Sequence, residues 1–154
     1  MLKLSDDYLI GFVEGEGMFY VGVVPSLETK SRWQVIYFFK VSQNPSGKVV
    51  LDFLKKRLGC GYLKANSKTD ATDKSLAFVV RDFKDLITKV IPFFEGKLVI
   101  KKKNFEKFKK VLEIVKSGRH LKKEGMKEIL DISYSMNTGK RKFSKEEILK
   151  NFQD

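Results

Sequence analysis

The chain has 154 residues, 42% of them hydrophobic and 12% aromatic, which suits one domain over 1–154 with its own core and excludes a disordered tail. One cysteine, Cys60, and a single histidine exclude an internal disulfide and a His/Cys zinc site, so a metal is expected on carboxylates, favouring Mg2+, Mn2+ or Ca2+. The 31 basic against 19 acidic residues give +12, concentrated in residues 97–154, which hold 17 basic and 8 acidic residues, so a polyanion is the expected partner.

No apolar run is long enough to span a bilayer, and Met1-Leu-Lys-Leu-Ser-Asp has no signal-peptide core. No membrane association is expected, and the setting expected is intracellular: a prokaryotic cytoplasm or an organelle. The first predicted helix has Ser5 as N-cap, Asp6 and Asp7 in its first turn, and an end near Glu14 or Gly15. Leu9, Phe12 and Val13 share one face, and Tyr8, Gly11 and Gly15 share another. Glycine costs about 1 kcal/mol inside a helix, so two on one face imply that another backbone comes close, a second copy of the chain being one candidate. Glu14 and Glu16 follow at the C-terminal end, where the dipole disfavours them. Locally costly choices of this kind mark functional sites.

Strands are predicted over Met18–Val24, closed by Pro25, and Trp33–Ser42, joined by the polar loop 26–32. Trp33, Val35, Tyr37, Phe39 and Val41 form the buried face of the second strand. Its other face carries Gln34, Ile36, Phe38, Lys40 and Ser42. Such a face either reads a DNA major groove or packs beneath a second layer, for which Ile36 and Phe38 would serve. A helix over about Gly47–Leu58 with Gly59 as its cap, strands over Cys60–Asn66 and Leu76–Arg81, and a helix from Asp82 to Val90 that ends before Pro92 come next. The order is α-β-β-α-β-β-α, an α+β pattern with an antiparallel sheet. Helices over about Lys103–Ser117 and Lys122–Met136 follow. Lys140, Arg141 and Lys142 then precede the capping box Ser144-Lys-Glu-Glu147; three basic residues in a loop suit phosphate contacts or simply a solvated linker.

The stretch Leu9-Ile-Gly-Phe-Val-Glu-Gly-Glu-Gly17 resembles the nine-residue motif of the LAGLIDADG homing endonucleases. Phe39-Lys-Val-Ser-Gln43 resembles that family's end-of-strand segment with its active-site glutamine. Val90-Ile-Pro-Phe-Phe-Glu95 and Lys101–Phe108 resemble its Pro-Phe-Phe and basic-helix segments. The resemblance implies the αββαββα LAGLIDADG endonuclease fold. It also implies a site-specific, divalent-metal-dependent double-strand DNA endonuclease that leaves short 3′ overhangs and needs no small-molecule cofactor.

The implied roles follow position by position. Glu16, helped by the Gly15 carbonyl, would hold the cation (Mg2+, with Mn2+ or Ca2+ able to substitute for binding), and Glu14 takes the less essential acidic position. Glu stands here at both positions where the family motif has Asp. Gln43 would orient water, and a lysine would stabilise developing charge. Counting back from Asn104-Phe105 gives Lys101, which is preferred; counting forward from Pro92 gives Lys97. The DNA-facing set is Tyr20, Ser26, Lys30, Arg32, Gln34, Ile36, Lys40 and Lys64, with Lys140, Arg141 and Lys142 for phosphates. One motif per chain implies a homodimer through Tyr8, Gly11 and Gly15 on a pseudo-palindromic target. The alternative is a non-cleaving protein of the same fold, an RNA-splicing maturase or a transcription regulator.

Overall fold

The computed structural model describes residues 2–136 and 141–152. The elements run α1 (Asp6–Glu16), β1 (Gly17–Pro25), β2 (Trp33–Gln43), α2 (Lys48–Leu58), β3 (Tyr62–Ala65), β4 (Leu76–Val80), α3 (Phe83–Asp85), α4 (Ile91–Phe94), α5 (Lys102–Lys116), α6 (Lys123–Met136) and α7 (Lys145–Leu149). The sheet order is β1-β2-β4-β3, with β2 and β3 each antiparallel to β4. The α+β order expected from the sequence is therefore the one adopted.

Local chemistry sets α1. Ser5 Oγ accepts the Tyr8 N–H at 3.1 Å, and Asp6 and Asp7 sit in the first turn. Gly17 closes the last turn by donating to the Val13 carbonyl. The buried stripe is Leu9, Ile10 and Val13, with Phe12 only half-buried. At about 100° per residue, Phe12 lies near the edge of that stripe and Ile10 within it, which corrects the expected face. Gly11 and Gly15 are exposed on the opposite side.

Two other elements depart from expectation. The third strand starts only at Tyr62, because Gly61 adopts φ 87°, a left-handed backbone that cannot extend the ladder. The helix expected to stop before Pro92 runs on through it: a π turn over Leu86–Val90 links α3 to α4, and Pro92 lies in the first turn of α4. A proline N–H is not needed there, and the widened turn relieves the clash its ring would make in a regular helix.

The chain divides into two compact units, Met1–Phe19 with Phe38–Lys102, and Tyr20–Tyr37 with Lys103–Asp154. The first is built on packed rings: Phe39 lies 5.2 Å from Phe19, 5.3 Å from Phe94 and 6.3 Å from Phe78, centroid to centroid. Leu51, Leu54, Leu86 and Val90 complete that core. The second unit buries Phe105, Phe108, Leu112 and Ile114 of α5 with Met126, Ile129 and Leu130 of α6. The buried Ser133 hydroxyl donates to the Val21 carbonyl at 2.8 Å, which satisfies a backbone acceptor of edge strand β1.

Candidate active site and nucleic-acid interface

Glu14 and Glu16 stand two residues apart at the end of α1 and meet different surroundings. The Glu14 carboxylate accepts three backbone N–H groups. Val99 and Ile100 (3.2 Å) donate to Oε1, and Lys101 donates to Oε2 at 2.9 Å. These donors lie in the segment immediately ahead of α5, so Glu14 ties that segment to the end of α1. Burial pushes its carboxyl up, but the three N–H groups and the Lys101 charge prevail and hold it below the usual carboxylate range. Glu16 is exposed, and among the described residues its carboxylate has no hydrogen bond or ion pair. The two carboxylates thus divide the work: one is committed to the backbone, the other is available.

The same clamp separates the two candidate lysines. Lys101 is joined to Glu14 through its backbone. Lys97 Nζ lies 5.4 Å from the Phe93 ring centroid. Arg57 stands 4.9 Å from the same ring and holds Asp6 with two bonds of 2.8 and 2.9 Å. Asp6 begins α1, about 12 Å along the axis from Glu14 at 1.5 Å per residue. Lys97 therefore stands with Phe93 and Arg57, nearer the start of α1 than its end.

Gln43 ends β2 and is half-buried. Gly47 lies against it: a Cβ added at Gly47 would stand 2.8 Å from both Gln43 Cβ and Cγ and closer still to the amide oxygen. The glycine leaves the space in which the Gln43 side chain sits.

The donor set suits a hard divalent cation in part. A free carboxylate such as Glu16 and a backbone carbonyl such as that of Gly15 are oxygen ligands of the right class. Among the described residues no three acidic, His or Cys side chains are grouped to hold an ion. The remaining oxygens would have to come from water, a phosphate or a second chain.

On the first unit, the sheet face turned away from the phenylalanine core is basic. Register aligns Lys40 with Val79 and Val79 with Tyr62, and Ser42 with Ala77 and Ala77 with Lys64. Burial, then the charges of Lys64 and Arg81, push the Lys40 ammonium down. Arg81 donates from Nε to Tyr62 Oη at 3.1 Å, and its guanidinium lies 5.0 Å from the Phe38 ring centroid. Arg81 and Tyr62 were missed by the sequence reading. The alternation that buries Phe78 and Val80 also sends position 81 to this face, and that was the available signal.

On the second unit, Gln34 and Lys30 are exposed, Ile36 is half-buried, and the Tyr20 ring lies over Gly22. Ser26 Oγ accepts the Glu28 N–H, and Arg32, at φ 69°, donates to the Leu27 carbonyl at 2.8 Å. Both side chains thus shape their own loop. Arg141 donates to the Ser133 carbonyl at 2.8 Å and lies 4.6 Å from the Tyr134 ring centroid, and Lys142 Nζ lies 5.6 Å from that of Phe143. Lys140 lies outside the described residues.

Comparison with known proteins adds an independent line. The profile of the LAGLIDADG endonuclease family matches residues 9–112. The crystal structure of a homing endonuclease, I-TnaI, superposes with a TM-score of 0.81 at 36% identity, covering 97% of each chain. I-SmaMI, bound to an uncleaved DNA target in the presence of calcium ions, superposes with a TM-score of 0.82 at 27% identity, over 91% of this chain and 47% of that one. A probable intron-encoded endonuclease 2 of Neurospora crassa is 29% identical over 93% of this chain, which spans 31% of the Neurospora protein.

Proposed function

The chain belongs to the LAGLIDADG endonuclease family, and on that premise we propose that it is a site-specific, divalent-metal-dependent endonuclease that cuts both strands of a DNA target as a homodimer. The observation that carries the reading is the contrast at the end of α1: Glu14 is consumed by backbone N–H groups, while Glu16 is exposed and unengaged. A cation held by Glu16, the Gly15 carbonyl and phosphate oxygens would supply Lewis-acid stabilisation and an acidified water. Gln43, seated against Gly47, orients that water through its amide. The Lys101 ammonium offsets the charge that grows on the phosphate. Glu14 touches none of the reacting atoms; it holds the segment that carries Lys101.

The dimer reading rests on α1. Tyr8 is 49% exposed, and a Cβ at Gly11 or Gly15 would meet nothing within 4 Å. A helix face left open and cut down to glycine fits the same helix of a second copy. An isologous pair of this kind reads a pseudo-palindromic target. The basic face of Lys40, Lys64 and Arg81 is the surface proposed for the DNA.

The test is a library of long double-stranded targets incubated with Mg2+ or Mn2+. The expected result is cleavage by the native chain, and by Glu16→Gln no cleavage but near-native binding. Unchanged cleavage by Glu16→Gln would overturn the assignment. Binding with no cut under either cation would favour a non-cleaving nucleic-acid-binding role.

A further inference from the structure

Arg81 is held on two sides before any ligand arrives. Its Nε is occupied by the Tyr62 hydroxyl at 3.1 Å, and the Phe38 ring supports the guanidinium at 5.0 Å. Tyr62 is placed by the ladder, opposite Val79. Tethered in this way, the group loses the rotamer freedom that usually makes an exposed arginine costly to order. The remaining edge of the guanidinium carries Nη1 and Nη2, two parallel donors.

Among the described residues, no carboxylate pairs with that edge. On the same face the Arg81 charge acts on Lys40, which also feels Lys64, opposite Ala77 one strand over. The adjacent Asp82 is engaged elsewhere, capping α3 by accepting the Asp85 N–H at 2.9 Å. A fork of two donors, fixed in direction and surrounded by positive charge, needs a ligand with two adjacent acceptors. In a DNA major groove that ligand is guanine, through O6 and N7. A phosphate offers two oxygens as well, but phosphates flank a groove, whereas β4 is an inner strand of the sheet and Arg81 follows directly from it.

Resting on the endonuclease reading above, we infer that Arg81 is a specificity-determining residue that reads a guanine in each half-site of the target. Tyr62 and Phe38 act as positioning residues that aim it. Lys40 and Lys64 bind the duplex through charge and carry no such preference.

The experiment is selection of bound duplexes from a randomised target library, followed by sequencing, for the native chain and four variants. The native chain is expected to enrich guanine at one position per half-site. Arg81→Gln is expected to shift that position to adenine, since a glutamine amide matches adenine N6 and N7. Arg81→Ala removes the preference, a loss of roughly ten- to hundredfold in discrimination at that position alone. Tyr62→Phe keeps guanine but narrows its margin. Lys64→Ala weakens all sequences alike and leaves the base preferences unchanged. The inference is overturned if the native chain enriches no guanine, or if Arg81→Gln leaves every base preference as it was, even though cleavage persists. A uniform loss across all sequences in Arg81→Ala would also overturn it, by identifying a phosphate contact. Sequence-selective binding without any cleavage would sink the endonuclease reading while the guanine assignment stood; no sequence-selective DNA binding at all would sink both.

Discussion

Single residues at the end of α1 carry opposite thermodynamic consequences. Glu14 accepts three N–H groups from the segment ahead of α5. Glu14→Ala should cost about 1–3 kcal/mol, since hydrogen bonds to a charged group sit at the upper end of the usual range. A calorimetric scan should show the loss as a fall of about 2–4 °C in Tm per kcal/mol. Cleavage should fall too, through Lys101, with DNA affinity little changed; an unaltered turnover would remove Glu14 from its positioning role. The sign of the pH effect follows from the depressed carboxyl. Its contribution is complete above the unfolded value of 4.5 and is lost as pH falls through the lower folded value, so acid should loosen the segment before Lys101. Gly47→Ala makes a second test. The added methyl would crowd Gln43, so turnover should drop several-fold while binding holds, and a fully active variant would show that the amide moves freely.

At the scale of the element, α1 behaves as two helices in one. Its buried stripe is fixed by Leu9, Ile10 and Val13, while a Cβ added at Gly11 or Gly15 would meet nothing within 4 Å among the described residues. Gly11→Ala should therefore stabilise the isolated chain by up to about 1 kcal/mol through helix propensity. The same change should weaken self-association, which sedimentation on the bound target would read; tighter pairing would argue against this face. Much of this helix was legible in the sequence, because its signals are local: Ser5 three residues from Tyr8, acids in the first turn, and two glycines four apart. The Glu14 clamp was not legible, because its partners lie 85 to 87 residues away and are backbone groups, which leave no mark in residue type. The Arg81–Tyr62 contact is hidden for a related reason: it depends on the register of β3 against β4, which strand patterns alone do not fix. Pro92 misled because proline is read as a stop, whereas a π turn carries the helix past it.

For the molecule as a whole, charge governs affinity. With a net +12 and a basic sheet face, binding should weaken steeply with salt, log K falling against log [salt] with a slope of about −0.9 per phosphate neutralised. A titration in rising KCl reads it, and a flat line would show that the lysines are not used on DNA. Lys64→Ala should reduce the slope by about one, whereas Glu16→Gln should leave it unchanged. The two units carry different labels. Trp33, the chain's single tryptophan, is buried in the second, edge-on to Phe143 at 4.9 Å. Glu16, Gln43 and Lys101 all belong to the first. Intrinsic fluorescence is therefore a one-sided witness: an emission-monitored melt follows the unit that holds none of the three proposed site residues and reports little on the one that holds them. A midpoint from that signal that differs from the midpoint for lost cleavage would measure how far the two halves of the chain lose their order separately.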